Sequence, residues 1–266
     1  MVASVLVSAT SGHKGATMGT GAGDADATDC RTVRVTYRRA NGRLAEAELD
    51  RIPVDEVAGG LPVREFRWYR GRKHYSGWYH ASTTGRMVAY ESRLELARIL
   101  IADFAGDIAE IAAQPFQLVG SDGTRIRRHV PDLFLVHVDG LVTVVDVKAP
   151  SRMKDPKVIA QFDWTRQVCS RRGWVYETWS GAEPAVVENV RFLAGYRRRD
   201  LVETSLIARV MEAAADQPTI GGVEAALAGH PHEIVRPVVL HLVWSGQLVT
   251  DLRSPLTRAS RIRAAA

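Results

Sequence analysis

Alternating polar and apolar side chains open the patterned part of the chain. Residues 32–49 alternate on both sides of Asn41-Gly42, which predicts two strands joined by a tight turn. Residues 52–57 predict a short helix that ends near Gly59-Gly60. Residues 66–80 interleave aromatic and cationic side chains. That mixture is typical of an edge hairpin, and it also suits stacking on bases or spanning phosphates.

A helical period replaces this alternation in residues 90–104, where apolar side chains recur three or four positions apart. The pattern predicts an amphipathic helix. Glu95 lies beside its apolar stripe, and Glu91 is placed one turn earlier on the same face. Residues 108–118 are predicted to continue as a helix end or a loop and then a strand.

Residues 125–150 form two apolar runs around the turn His137-Val-Asp-Gly140, which predicts a β-hairpin. Residues 158–172 then predict a helix closed by glycine, and residues 174–179 predict a further strand. The order of helix, strand, hairpin, helix and strand predicts an α/β fold with a mixed β-sheet flanked by helices.

The pattern changes beyond residue 183. Four helices are predicted, at residues 187–193, 201–215, 219–227 and 232–244. Thr219 is a suitable cap for the third helix, and Pro237 is expected to shorten or kink the fourth. Two small strands are predicted after residue 245. Helices followed by a strand pair are typical of a small, mostly helical winged-helix-like module that binds DNA or protein, and the alternative is a helical cap on the preceding sheet.

Three regions follow from these patterns: residues 1–30, 31–183 and 184–266. The first is rich in Ser, Gly, Ala and Thr, which predicts a disordered leader. Its glycine-rich stretches lack the Gly-Lys-Ser/Thr ending of a phosphate loop, so a nucleotide site is not expected there. It also lacks the basic start of a signal peptide.

The amino-acid composition limits the classes of protein to which this chain can belong, but it does not select one class. The chain is 46% hydrophobic and 24% charged, which is typical of a globular protein with an ample core. No apolar run approaches the roughly 20 residues of a membrane helix, so we expect a cytoplasmic protein with no membrane partner. Cys30 and Cys169 fit no metal-ligand spacing and are expected to be free thiols. The net charge of +5 permits a polyanionic partner without requiring one.

Candidate chemistry lies in the hairpin at residues 125–150. Asp132, Asp146 and Lys148 interrupt its apolar runs, and hairpin pairing can bring the two carboxylates together. Burying these charges is costly unless they bind something. Carboxylate oxygens suit Mg²⁺, for which Mn²⁺ can substitute, and a nearby lysine can position water or stabilise developing charge. Glu95 would complete the metal shell, and Glu91 could share or take that role.

The order of the helix glutamate, Pro-Asp and Asp-x-Lys is that of PD-(D/E)xK nucleases. We therefore expect Glu95, Asp132, Asp146 and Lys148 to be catalytic, with the three carboxylates as metal ligands. Six segments, in this order and spacing, resemble the TnsA-like endonuclease subunit of heteromeric transposases: Glu91-Ser-Arg-Leu-Glu-Leu-Ala, Gln114-Pro-Phe, Arg128-His-Val-Pro-Asp, Val144-Val-Asp-Val-Lys, Phe162-Asp-Trp-Thr and Gly173-Trp-Val-Tyr.

The resemblance implies a restriction-endonuclease-like fold for residues 31–183, a winged-helix-like C-terminal domain, and the same four residues in the family's motif positions. It also implies partners. Such a subunit cuts the 5′ (non-transferred) strand of double-stranded DNA at transposon ends. A TnsB-like DDE transposase cuts and joins the 3′ ends, under a TnsC-like AAA+ ATPase.

Two rival hypotheses stay open at this point. One keeps the nuclease but makes it a stand-alone PD-(D/E)xK restriction or repair endonuclease, which would cut plain duplex without a partner. The other is a non-enzymatic binding module with a vestigial site. The intact carboxylates and lysine count against the second.

Overall fold

The computed structural model describes residues 33–64 and 75–265. The predicted leader at residues 1–30 lies outside them, as does most of the aromatic and cationic segment. The chain divides into two compact units. The first runs to Ile99 and resumes from Asp107 to Gly181, and the second combines Leu100–Gly106 with Ala182–Ala266.

Strands and helices alternate irregularly along the described residues. The strands are β1 (Arg34–Arg38), β2 (Leu44–Glu48), β3 (Gly77–His80), β4 (Met87–Tyr90), β5 (Ile108–Ala113), β6 (Phe116–Ser121), β7 (Ile126–His129), β8 (Leu133–His137), β9 (Val142–Val147), β10 (Val175–Trp179), β11 (Leu248–Thr250) and β12 (Ile262–Ala264). The α-helices are α1 (Val54–Ala58), α2 (Arg93–Phe104), α3 (Pro156–Arg171), α4 (Pro184–Leu193), α5 (Ile207–Asp216), α6 (Ile220–Ala226) and α7 (His232–Trp244).

The first unit contains two four-stranded sheets, where the sequence predicted one. The first sheet has the order β2-β1-β6-β7 and is antiparallel throughout. The second has the order β10-β9-β8-β5 and is mixed, because β10 runs parallel to β9 while the other pairs are antiparallel. The α/β class is therefore confirmed. The predicted strand pair at residues 32–49 is also confirmed, and Gly42 takes a φ of +83° in its turn.

Residues 108–118 were predicted as a helix end or loop and then a strand. The strand is confirmed by β6, but the helix end or loop is wrong, because residues 108–113 form β5. The sequence Ile-Ala-Glu-Ile-Ala-Ala has no strong strand signal, since alanine and glutamate are weak strand formers. Pairing with β8 decides the outcome, with a register shift between Ile108 and Glu110.

The predicted hairpin around His137-Val-Asp-Gly140 is confirmed as β8 and β9, with Gly140 at a φ of +85°. Its upstream part is not one strand with β8. Strand β7 pairs with β6 in the first sheet, and the chain changes sheets through Val130 and Pro131 before β8 begins. Proline lacks the backbone N–H that a continuing ladder would need, so the break falls at a residue suited to it.

Buried aromatic rings connect the two sheets of the first unit. Phe116 of β6 meets Phe134 of β8 edge to face at 5.8 Å, and Trp174 contacts both rings. All six residues of β9 are buried. A strand covered on both faces explains why this segment is a continuous apolar run and not an alternating one. Asp146 is therefore a charged side chain in the most enclosed strand of the unit.

The second unit contains α4 to α7 and the antiparallel pair β11–β12. Thr219 caps α6 as predicted, accepting the Gly222 N–H at 3.0 Å. The predicted helix at 201–215 is shorter, because two 3₁₀ turns precede its start at Ile207. Helix α7 continues through Pro237 to its last residue, so the proline does not shorten it. None of the helices in residues 33–64 and 75–265 combines the length and apolar character that a membrane span requires.

Candidate active site

The four predicted site residues lie in the first unit, at the start of α2 and at one end of the β8–β9 hairpin. Asp132 immediately precedes β8, Asp146 is in β9, and Lys148 immediately follows β9. Leu133 pairs with Val145 at this end of the hairpin, and Asp132 and Asp146 are the next residues on the two strands. The Asp132 N–H donates to the Val145 carbonyl at 3.0 Å, which is one residue out of the register that pairs Leu133 with Val145.

A backbone N–H of the hairpin holds the Asp132 carboxylate in place. Its Oδ2 accepts the N–H of Val147 at 2.6 Å. The Asp132 carbonyl also accepts the N–H of Gln114 at 2.9 Å, and Gln114 adopts a φ of +46°, which is uncommon for a residue other than glycine. Burial, together with the negative charges of Asp146 and Glu95, raises the pKa of Asp132 to about 7.

Glu95 is held by a capping box at the start of α2. The Ser92 hydroxyl accepts the Glu95 N–H at 3.1 Å and donates to Glu95 Oε1 at 2.9 Å, while the Glu91 N–H donates to Glu95 Oε2 at 2.8 Å. Burial raises the pKa of Glu95, and these hydrogen bonds oppose the shift. The predicted placement of Glu91 one turn earlier on the same helical face is wrong, because Ser92 is the cap and the helix begins at Arg93.

An ion pair anchors the same helix to the second sheet. The guanidinium of Arg98 donates two hydrogen bonds to Glu177 of β10, at 2.9 and 2.8 Å. The Arg98 side chain is only 10% exposed. Strand β10 pairs with β9 beside Asp146, so this bidentate contact sets the position of α2, and with it Glu95, against the strand that carries Asp146.

Asp146 is the most enclosed member of the group, with 2% of its surface exposed. Its Oδ2 accepts a hydrogen bond from the Tyr176 hydroxyl and lies 2.7 Å from Nε2 of His129. Sequence reasoning singled out neither partner. The signal for Tyr176 was available, because a parallel strand after a βαβ crossover would lie beside β9. The signal for His129 was not, since β7 belongs to the other sheet.

Lys148 extends the pairing of β9 with β10 by one residue, because its N–H donates to the Trp179 carbonyl at 2.9 Å. The positive charge of Lys148 lowers the pKa of Glu95 and of Asp132 against the larger effect of burial. The charges of Glu95, Asp146 and Lys148 therefore all act on the Asp132 carboxylate. The structure places the other three predicted residues within electrostatic range of Asp132.

The donor chemistry suits a hard divalent cation, because Glu95, Asp132 and Asp146 supply carboxylate oxygens. The raised pKa of Asp132 reflects burial first, and then negative charge from Asp146 and Glu95 that the single lysine does not offset. Across residues 33–64 and 75–265, however, no three His, Cys, Asp or Glu side chains converge as a ready-made metal shell. Glu95, Asp132 and Asp146 would therefore need to draw closer together to hold a cation.

Comparison with known protein families found no family model that matches this chain. Comparison with curated protein sequences found no match either. The case for a function therefore depends on the residues and their surroundings.

Proposed function

We propose that this chain is a Mg²⁺-dependent DNA endonuclease that serves as a subunit of a heteromeric transposase and cleaves the 5′ (non-transferred) strand at transposon ends. The observation that carries the proposal is the electrostatic coupling of four residues chosen from the sequence alone. Burial and the charges of Asp146 and Glu95 raise the pKa of Asp132, and Lys148 opposes them. Such clustering of shifted groups is typical of functional sites.

Each residue has a distinct part in this proposal. Glu95, Asp132 and Asp146 would hold the divalent cation through their oxygens. A bound cation supplies positive charge that offsets the charge of a scissile phosphate and makes nearby water more acidic. The Lys148 ammonium can donate a hydrogen bond from Nζ to an attacking water or to a phosphate oxygen, which would stabilise the charge that develops there.

The element order supports the two-domain part of the proposal. A mixed sheet with the order β10-β9-β8-β5, together with α2 and α3, is consistent with a restriction-endonuclease-like core. After α4, the second unit has the order α5, α6, α7 and then β11–β12. Thr219 before α6 bridges to Arg261 before β12. A strand segment between the first two of three helices, paired with a following hairpin, favours a winged-helix-like module.

Charge is distributed unevenly between the units. Residues 182–266 contain ten arginines and nine aspartates or glutamates, so the net charge of +5 comes mainly from the rest of the chain. A polyanion would be attracted to the part that carries the excess. We therefore assign DNA binding mainly to the first unit, and contact with a TnsB-like transposase or a TnsC-like AAA+ ATPase mainly to the second.

The test is strand cleavage by the full-length chain with Mg²⁺, alone and together with a DDE transposase and an AAA+ ATPase encoded beside its gene. The DNA is a plasmid that carries the ends of the surrounding element, and the 5′ cuts are mapped by primer extension. Asp132→Asn or Lys148→Ala should abolish these cuts. Asp163→Asn, which changes a carboxylate on the exposed face of α3, is the matched control and should retain them.

Three outcomes separate the possibilities. Cuts that require the partners support the transposase subunit. Cutting of plain duplex by the purified chain would favour the stand-alone restriction or repair endonuclease. Wild-type cleavage by Asp132→Asn or Lys148→Ala would refute the assignment of the site itself.

A further inference from the structure

One oxygen of Asp146 receives both hydrogen bonds that the structure directs at this carboxylate. Oδ2 accepts the Tyr176 hydroxyl and lies 2.7 Å from Nε2 of His129. The two partners come from different sheets of the first unit, since Tyr176 is in β10 and His129 is in β7. A carboxylate held from two directions on one oxygen has little freedom to rotate, so its other oxygen points in a fixed direction.

Packing fixes the Tyr176 ring in turn. The Phe162 ring of α3 meets it at 62° with 6.3 Å between centroids, and the Arg166 guanidinium lies 5.5 Å from the ring centroid. The Tyr176 hydroxyl donates the hydrogen bond to Asp146, because an ionised carboxylate oxygen can only accept one.

We propose that Tyr176 and His129 are positioning residues that hold Asp146 by Oδ2 and present Oδ1 to a divalent cation. This inference rests on the proposed function, since it concerns the same site. Oδ2 already accepts two hydrogen bonds and would have to give one up to bind the cation. Oδ1 can bind without that loss, so Asp146 contributes a single oxygen. Groups that orient a metal ligand in this way usually raise metal affinity 10- to 100-fold.

Direct measurement of cation binding tests this without reference to cleavage. The full-length chain is titrated with Mn²⁺ by isothermal calorimetry, with free Mn²⁺ followed by electron paramagnetic resonance. Tyr176→Phe should weaken Mn²⁺ binding about 10-fold or more. Tyr37→Phe is the matched control, because Tyr37 also donates its hydroxyl to a carboxylate, Glu56, at 2.9 Å in the same unit. That variant should bind Mn²⁺ like the wild type.

His129 gives a second and independent arm. His129→Gln keeps an amide N–H near the position of Nε2 and should bind Mn²⁺ within a few fold of the wild type. His129→Leu removes the donor and should weaken binding about 10-fold. A thermal melt of each variant identifies any that fails to fold. If Tyr176→Phe does not fold, the comparison of the two His129 variants decides.

The outcomes distinguish this inference from the proposed function. If the wild type binds no Mn²⁺ at millimolar concentration, the metal-dependent nuclease proposal fails, and the positioning role fails with it. If the wild type binds Mn²⁺ and folded Tyr176→Phe and His129→Leu bind it equally well, the positioning role is refuted while the nuclease proposal stands. In cleavage assays, the positioning variants should recover much of their lost rate at high Mn²⁺, whereas Asp132→Asn should not.

Discussion

The partly buried carboxylate of Asp132 should make the metal-free protein less stable as the pH rises. Burial, together with the charges of Asp146 and Glu95, raises its pKa from 3.8 to about 7 in the folded protein. In the unfolded chain the group returns to its ordinary pKa. Its contribution to stability is therefore fully present below about pH 4. It is lost as the pH rises toward and through 7, because the unfolded state releases the proton first.

The size of this effect follows from the same values. A pKa difference of about three pH units, at about 1.4 kcal/mol each, corresponds to at most about 4 kcal/mol. Asp132 is partly exposed, and water on that side weakens the penalty, which leaves about 2 to 4 kcal/mol. Asp132→Asn has the same shape, and its amide oxygen can still accept the N–H of Val147. The variant should match the wild type near pH 4 and be more stable by this amount at pH 8.

Urea unfolding at pH 4, 6 and 8 in the presence of EDTA measures the difference. The free energy of unfolding of Asp132→Asn minus that of the wild type should grow with pH. The exposed change Asp163→Asn should show no such growth. Saturating Mg²⁺ should narrow the gap at pH 8, because a cation that binds the folded wild type stabilises it by mass action. A difference that stays flat from pH 4 to 8 would refute the reasoning, since the ionised carboxylate would then carry no burial penalty.

Substitutions at three further positions test contacts around the site and one contact away from it. Arg98→Met leaves the partly buried Glu177 without its bidentate partner and should lower the free energy of unfolding, measured in urea, by about 3 kcal/mol. Arg98→Lys should lower it less. If both variants were as stable as the wild type, the proposed role of the ion pair would be wrong. Ser92→Ala removes the cap that holds Glu95 and should cost about 1 kcal/mol and weaken Mn²⁺ binding, which calorimetry would detect. Thr219→Ala should also cost about 1 kcal/mol, yet leave Mn²⁺ affinity unchanged; a change in affinity would be inconsistent with a site confined to the first unit.

The local sequence pattern predicted the structure correctly where the conformation of a short segment depends on neighbouring residues. The turn at Asn41-Gly42, the hairpin around His137-Val-Asp-Gly140 and the cap at Thr219 were all predicted from a few neighbouring residues. Glycine at positive φ and a threonine that accepts a backbone N–H act over three or four residues. The helix Arg93–Phe104 was predicted for the same reason, because its apolar spacing is local.

Strand pairing between residues far apart in the chain determined the structures that the local pattern did not predict. Residues 108–113 became strand β5 because β8 was available as a neighbour, although their alanines and glutamate favour helix as well. The split into two sheets depends on β6 pairing with β1, about 80 residues earlier. The start of a helix is also hard to predict from spacing. Spacing alone placed Glu91 on the same helical face as Glu95, but Ser92 caps the helix, so Glu91 lies before its first turn.

The sequence by itself determined the members of the candidate site, because Asp132, Asp146 and Lys148 are charged residues inside apolar runs and their spacing along one hairpin fixes their proximity. Only the tertiary structure decided what surrounds them. The Tyr176 hydroxyl and the His129 ring reach Asp146 from two other strands, and the burial that raises the pKa of Asp132 comes from the packed unit as a whole. Desolvation and contact between distant strands are properties of the packed fold, and no local pattern encodes them.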